Sequence, residues 1–139
     1  MALTIRPFQD QDEPAVVALW RIAFPSEPKR NDPLAIIRRK RDRQPELFLV
    51  GEIDNRVVAT VVAGYDGYRG WVYHVAVADD ARRSGYGRAM MAAVEERLRA
   101  LGCPKLNLQI NRSNAEVVAF YEALGYLVED RISMGKELS

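Results

Sequence analysis

The sequence predicts an α/β fold, a mixed and mostly antiparallel sheet flanked by helices in the order βααβββαβαβ. Three observations carry that prediction. Three β-branched and aromatic runs follow one another between residues 47 and 78 through short polar loops, the pattern of an antiparallel meander. After them the apolar period changes from 2 to 3.6, and helical and strand-like stretches alternate toward the C-terminus. Finally, 139 residues with 48% hydrophobic and 28% charged side chains suffice for one core, and no linker or repeat divides them, so residues 1–139 read as a single domain.

Leu3 to Phe8 alternates and ends at Pro7, a short first strand. Asp10 or Asp12 can cap a helix that tolerates Pro14 in its first turn and carries Val16, Val17, Trp20, Ala23 and Phe24 on one face, until Pro25 and Pro28 end it. Asn31-Asp32-Pro33 opens a second, mostly solvated helix that runs into the basic stretch Arg38 to Arg43. Leu47 to Ile53 and Val57 to Tyr65 form a hairpin around the polar turn Asp54-Asn55-Arg56, and Trp71 to Ala78 adds the third strand of the meander. Met90, Met91, Val94, Leu98 and Leu101 form a helical stripe, with Glu95 and Arg99 paired across one turn and Gly102 followed by Pro104 as the stop. Lys105 to Ile110 reads as the fifth strand. Ser113 with Glu116 reads as a capping box, Val117, Phe120, Tyr121 and Leu124 line the next helix, and Tyr126 to Leu138 returns as a final strand.

Composition narrows the function. A net charge of +1 argues against affinity built on neutralising many nucleic-acid phosphates. One cysteine, Cys103, and one histidine, His74, make neither an internal disulfide nor a zinc set, so no metal is expected and the cytoplasm is the expected compartment. No apolar run is long enough to span a membrane.

Arg82-Arg83-Ser84-Gly85-Tyr86-Gly87-Arg88 lies between a strand and a helix, where free N–H groups and the helix dipole meet. Gly85 and Gly87 allow close backbone approach to a phosphate, and Arg82, Arg83 and Arg88 add charge-assisted donors suited to a pyrophosphate. The same residues could serve only as a tight, soluble turn. A dinucleotide fingerprint is not met, because its third small residue would fall at Met90 and its acidic residue near Lys105, and no P-loop pattern exists. Asn114 and Tyr121 stand two helical turns apart on one face, about 10.5 Å along the axis, within reach of one extended ligand. Taken alone, Asn114 could equally cap a turn and Tyr121 could equally belong to the core.

Together, His74-Val75-Ala76-Val77, Arg82-x-x-Gly85-x-Gly87, and Asn114 through Phe120-Tyr121 to Leu124-Gly125-Tyr126 resemble the GNAT superfamily of acetyl-CoA-dependent N-acetyltransferases, and in particular its bacterial YpeA-type branch. The resemblance implies a GNAT-like fold whose fourth and fifth strands splay apart around the thioester. Acetyl-CoA would be the co-substrate. Val75, Ala76 and Val77 would lie along the pantetheine arm, with Val75 and Val77 offering main-chain groups, and Arg82, Arg83, Ser84, Gly85, Tyr86, Gly87 and Arg88 would hold the pyrophosphate. Asn114 would contact the arm, and Tyr121 would point its hydroxyl at the thioester sulfur as general acid. A neutral amine of a small molecule or peptide would attack directly, with a main-chain N–H near Val75 stabilising the oxyanion.

One position departs from the pattern. In the branch that acetylates ribosomal-protein N-termini, a glutamate occupies the place of Gln109, and an amide cannot take a proton. Glu52, Asp66, His74 or a water chain are the candidate bases. Trp20, Tyr65, Tyr68 and Trp71 could form an aromatic wall around the amine, or simply pack in the core. An acyl-CoA-binding sensor or interaction module without efficient turnover is the alternative. The final strand could pair with another copy, which leaves a homodimer open.

Overall fold

A computed structural model describes residues 2–138. They form two compact units, residues 2–108 and 109–138. Among the described residues no helix is long and apolar enough to cross a membrane.

The first unit holds a five-stranded sheet in the order β1-β2-β3-β4-β5, with β1 at Thr4–Pro7, β2 at Phe48–Ile53, β3 at Arg56–Tyr65, β4 at Gly70–Val77 and β5 at Leu106–Asn107. The first three pairings are antiparallel and the last is parallel. The β2–β3 turn is the short polar one expected: Asp54 and Asn55 both take left-handed φ, 50° and 65°, as the two-residue hairpin turn whose twist matches its strands requires.

Helices cover both faces. From α1 (Glu13–Ala23) and α2 (Pro33–Arg41), Val16, Leu19, Trp20 and Ile37 pack with Phe48, Val50, Val62 and Ala76 of the sheet. On the other face, α3 (Tyr86–Ala100) buries Met90, Met91, Val94 and Leu98, the stripe read from its period, and its Glu95–Arg99 pair forms at 3.6 Å. Leu101 departs from that stripe: it caps the helix end and is half exposed. Gly70, where β4 meets β5, is tightly packed, since a Cβ there would stand 3.0 Å from Cys103 Sγ and 3.1 Å from Leu98 Cδ1 and its neighbours would have to give.

Two expected caps are used differently. Asp12 makes no side-chain cap to α1. Its carboxylate turns instead to Arg6, which donates from Nη1 and Nη2 at 2.7 and 2.9 Å, and to the Gln9 N–H at 2.8 Å. In the second unit, α4 (Ala115–Ala123) is capped by Asn114, whose Oδ1 accepts from the Val117 N–H at 3.4 Å, and not by Ser113, whose hydroxyl donates to Asn111 Oδ1.

Two strand expectations are corrected. The fifth strand is not the six residues Lys105 to Ile110 but two, because its register with β4 ends after Gly70–Leu106 and Trp71–Asn107. The final strand of the order βααβββαβαβ is not formed. After Gly125, with φ 96°, residues 126–138 pair with no strand, and the charged centre closes locally through the Arg131 N–H to the Glu129 carbonyl. The period-2 pattern marks a stretch able to be a strand, but a ladder also needs an edge to pair with.

Candidate active site

The site begins with one edge of β4. Beyond Gly70 and Trp71, residues 72–77 of β4 have no β5 partner. Hydrogen bonding to β3 decides what that edge presents. The Ala78 N–H donates to the Val58 carbonyl at 2.8 Å, and in an antiparallel ladder such pairs alternate, so Ala76 also bonds to its partner Thr60. The main-chain groups of Val77 therefore point to the outer edge, where Arg82 Nε reaches the Val77 carbonyl at 3.5 Å.

A bulge sets the residue before them. Thr60 faces Ala76 and Val62 faces Tyr73, so His74 and Val75 together oppose Val61. His74 takes a left-handed φ of 52°, uncommon for a residue with a side chain. Its carbonyl accepts from the Thr60 hydroxyl at 3.0 Å. Because the peptide is trans, the Val75 N–H points away from the Thr60 hydroxyl.

The edge leads into the turn that opens α3. Asp79–Ala81 form one turn of 3₁₀-helix, Arg82 is extended, and Arg83 and Gly85 are left-handed at φ 66° and 79°. Gly85 is the N-cap of α3 and brings no side chain to its N–H groups, and the first turn contains no acid. The left-handed Gly85 followed by right-handed Tyr86 and Gly87 converges successive N–H groups into a concave nest at the positive end of a 15-residue helix. Arg82, Arg83, Ser84 and Arg88 are exposed, with Arg82 held 3.3 Å from Asp79.

In the second unit, Asn114 and Tyr121 share α4. Tyr121 is buried, with Phe120 and Tyr126 edge-on at 4.9 and 5.7 Å, and burial pushes its phenol up to about 12. The structure thus brings Val75, Ala76 and Val77 together with the Arg82 to Arg88 turn in one unit, and Asn114 with Tyr121 in the other.

The candidate bases separate clearly. Glu52 accepts from Arg6 Nε at 3.1 Å and is committed to that ion pair. Asp66 caps the β3–β4 turn, accepting from the N–H groups of Arg69 and Tyr68, and these hold its carboxyl below the usual range. His74 packs on Trp20 and Phe24 with ring centroids at 4.7 and 4.8 Å. Burial pushes its imidazole below the ordinary value against the opposing pull of Glu27, so the ring is neutral at pH 7. Gln109 donates to the Ser133 hydroxyl at 2.6 Å.

Of the aromatic wall, Trp20 belongs to the core, its indole N–H bonded to Thr60 at 2.8 Å. Tyr68 is exposed beneath the Arg69 guanidinium. Tyr73, which the sequence did not single out, stands exposed on β4. The basic stretch, most of it in the last turn of α2, is partly structural: Lys40 donates to the Ala63 carbonyl and Arg41 pairs with Asp10.

The unpaired part of the β4 edge thus runs directly into the turn that opens α3. The model of the acetyltransferase (GNAT) family matches residues 13–126, and the chain belongs to that family and is an acyltransferase. It is 41% identical over 136 residues to Acetyltransferase YE1169 of Yersinia enterocolitica, covering 98% of this chain and 96% of that one. Among solved structures, Ard1 from Thermoplasma volcanium is 25% identical with a TM-score of 0.80, covering 93% of this chain and 85% of that one. AAC(6')-Iy in complex with the bisubstrate analog CoA-S-monomethyl-acetylneamine covers 100% of both chains at a TM-score of 0.83 and, at 15% identity, shows likeness of fold.

Proposed function

We propose that residues 1–139 act as one catalytic domain that transfers an acetyl group from acetyl-CoA to a primary amine of a small molecule or peptide. The observation that carries this reading is the β4 edge, where Val75 and Val77 turn main-chain groups away from β3 beyond the end of the β5 ladder, and where the strand runs directly into the Gly85 nest. An extended pantetheine arm carries amides that complement such an edge, and its pyrophosphate suits the nest and the arginines beside it. The Val75 N–H would face the thioester oxygen as negative charge develops on it, the moment at which a fixed donor contributes most.

Asn114 is used as a cap, so its remaining donors are what it offers the arm. Tyr121, protonated throughout the working range, would donate to the departing sulfur. With Glu52 and Asp66 both committed, the neutral His74 imidazole or solvent is left to take the proton of the attacking amine. The names of the similar proteins, which include a ribosomal-protein-S18-alanine N-acetyltransferase and an aminoglycoside N-acetyltransferase, support acceptors ranging from protein to small-molecule amines.

The test is release of free thiol from acetyl-CoA with a panel of amines, polyamines, amino acids and N-terminal peptides. Turnover with at least one class is the expected result. Coenzyme A binding with no thiol release from any amine would instead favour the acyl-CoA sensor, and absence of binding would contradict both.

A further inference from the structure

A single hydroxyl lies in the middle of an otherwise apolar buried strand, Val57-Val58-Ala59-Thr60-Val61-Val62-Ala63, and Thr60 is fully buried. A buried hydroxyl without partners is costly, and this one has two. It accepts from the Trp20 indole N–H at 2.8 Å and donates to the His74 carbonyl at 3.0 Å. The acceptor is the bulge residue itself, held at φ 52° with its ring against Trp20 and Phe24. Left-handed backbone at a non-glycine residue persists only where its surroundings hold it.

We propose that Thr60 is a positioning residue: its hydroxyl, oriented by Trp20, latches the His74–Val75 peptide plane and so aims the Val75 N–H out of the sheet. Thr60 touches no substrate and acts through that peptide. The proposal rests on the reading of Val75 as the oxyanion donor, and it adds the residue that sets the donor's direction. Removing the hydroxyl leaves the Trp20 N–H and His74 carbonyl without their partner, and the peptide is free to rotate by the tens of degrees that separate a useful donor from an idle one.

Thr60→Val, of nearly the same shape, is expected to lower kcat by about 10-fold to 100-fold while leaving KM for acetyl-CoA within about twofold. Thr60→Ser, which keeps the hydroxyl, should recover most of the rate. A purely structural role would lower melting temperature in both without that split. The latch is also read in the free protein, independently of any turnover: the Val75 amide resonance should move in Thr60→Val and return in Thr60→Ser. An unmoved Val75 amide, or a folded Thr60→Val enzyme with wild-type kcat, would overturn the latch. Absence of turnover by the wild-type enzyme would instead overturn the functional reading.

Discussion

Tyr121→Phe should lower kcat by about 100-fold to 10,000-fold, the usual range for loss of a positioned proton donor. The phenyl ring keeps the edge-on contacts with Phe120 and Tyr126, so fold and acetyl-CoA affinity should be close to those of the native enzyme. Rate and KM therefore separate, as they do when an interaction made mainly in the transition state is removed. The pH profile gives a second readout. Burial holds the phenol protonated until about pH 12, so Tyr121 contributes no falling limb between pH 7 and 10, and activity there should rise as the acceptor amine loses its proton. An early basic limb that vanishes in Tyr121→Phe would show a phenol far more acidic than its burial allows.

Asp12→Ala is expected to destabilise the protein by about 2–4 kcal/mol, seen as a fall of about 5–15 °C in melting temperature. Asp12 is buried, and it receives two parallel N–H bonds from Arg6 and one from the Gln9 backbone, while Arg6 Nε extends the network to Glu52. Truncation leaves the half-buried guanidinium facing a void. The sign with pH follows from the direction of the shift: the Arg6 hydrogen bonds hold the Asp12 carboxyl below the usual carboxylate range. Its stabilising contribution is thus fully present above about pH 4 and is lost as pH falls through the lowered value. The stability gap between native protein and Asp12→Asn should narrow below pH 4 and stay constant between pH 5 and 8.

What the sequence disclosed follows from which forces are local. The stripe of α3 and the Asp54–Asn55 turn depend on spacing and on short-range backbone preference, and both are where pattern places them. So is the glycine turn ahead of α3, because a helix start and its cap are written in adjacent residues. The bulge was not legible. It depends on Thr60, Trp20 and His74 meeting from three elements, and the only trace in the sequence is a threonine among seven aliphatic-strand positions. Asp12 looked like a cap because aspartate before a helix commonly is one; Arg6, six residues earlier across a turn, competes for the same carboxylate and wins by making two charge-assisted bonds. The length of β5 and the state of residues 126–138 depend on partner edges, which period alone does not reveal.

The central claim is that the outer edge of β4 receives the acyl-CoA arm. Amide hydrogen exchange on the native protein, free and saturated with acetyl-CoA in the absence of acceptor, tests it residue by residue. Val75 and Val77 should become strongly protected, while Ala76 and Ala78, already bonded to β3, change little. Saturated protein in which the Val75 and Val77 amides exchange as fast as in the free state would contradict the account.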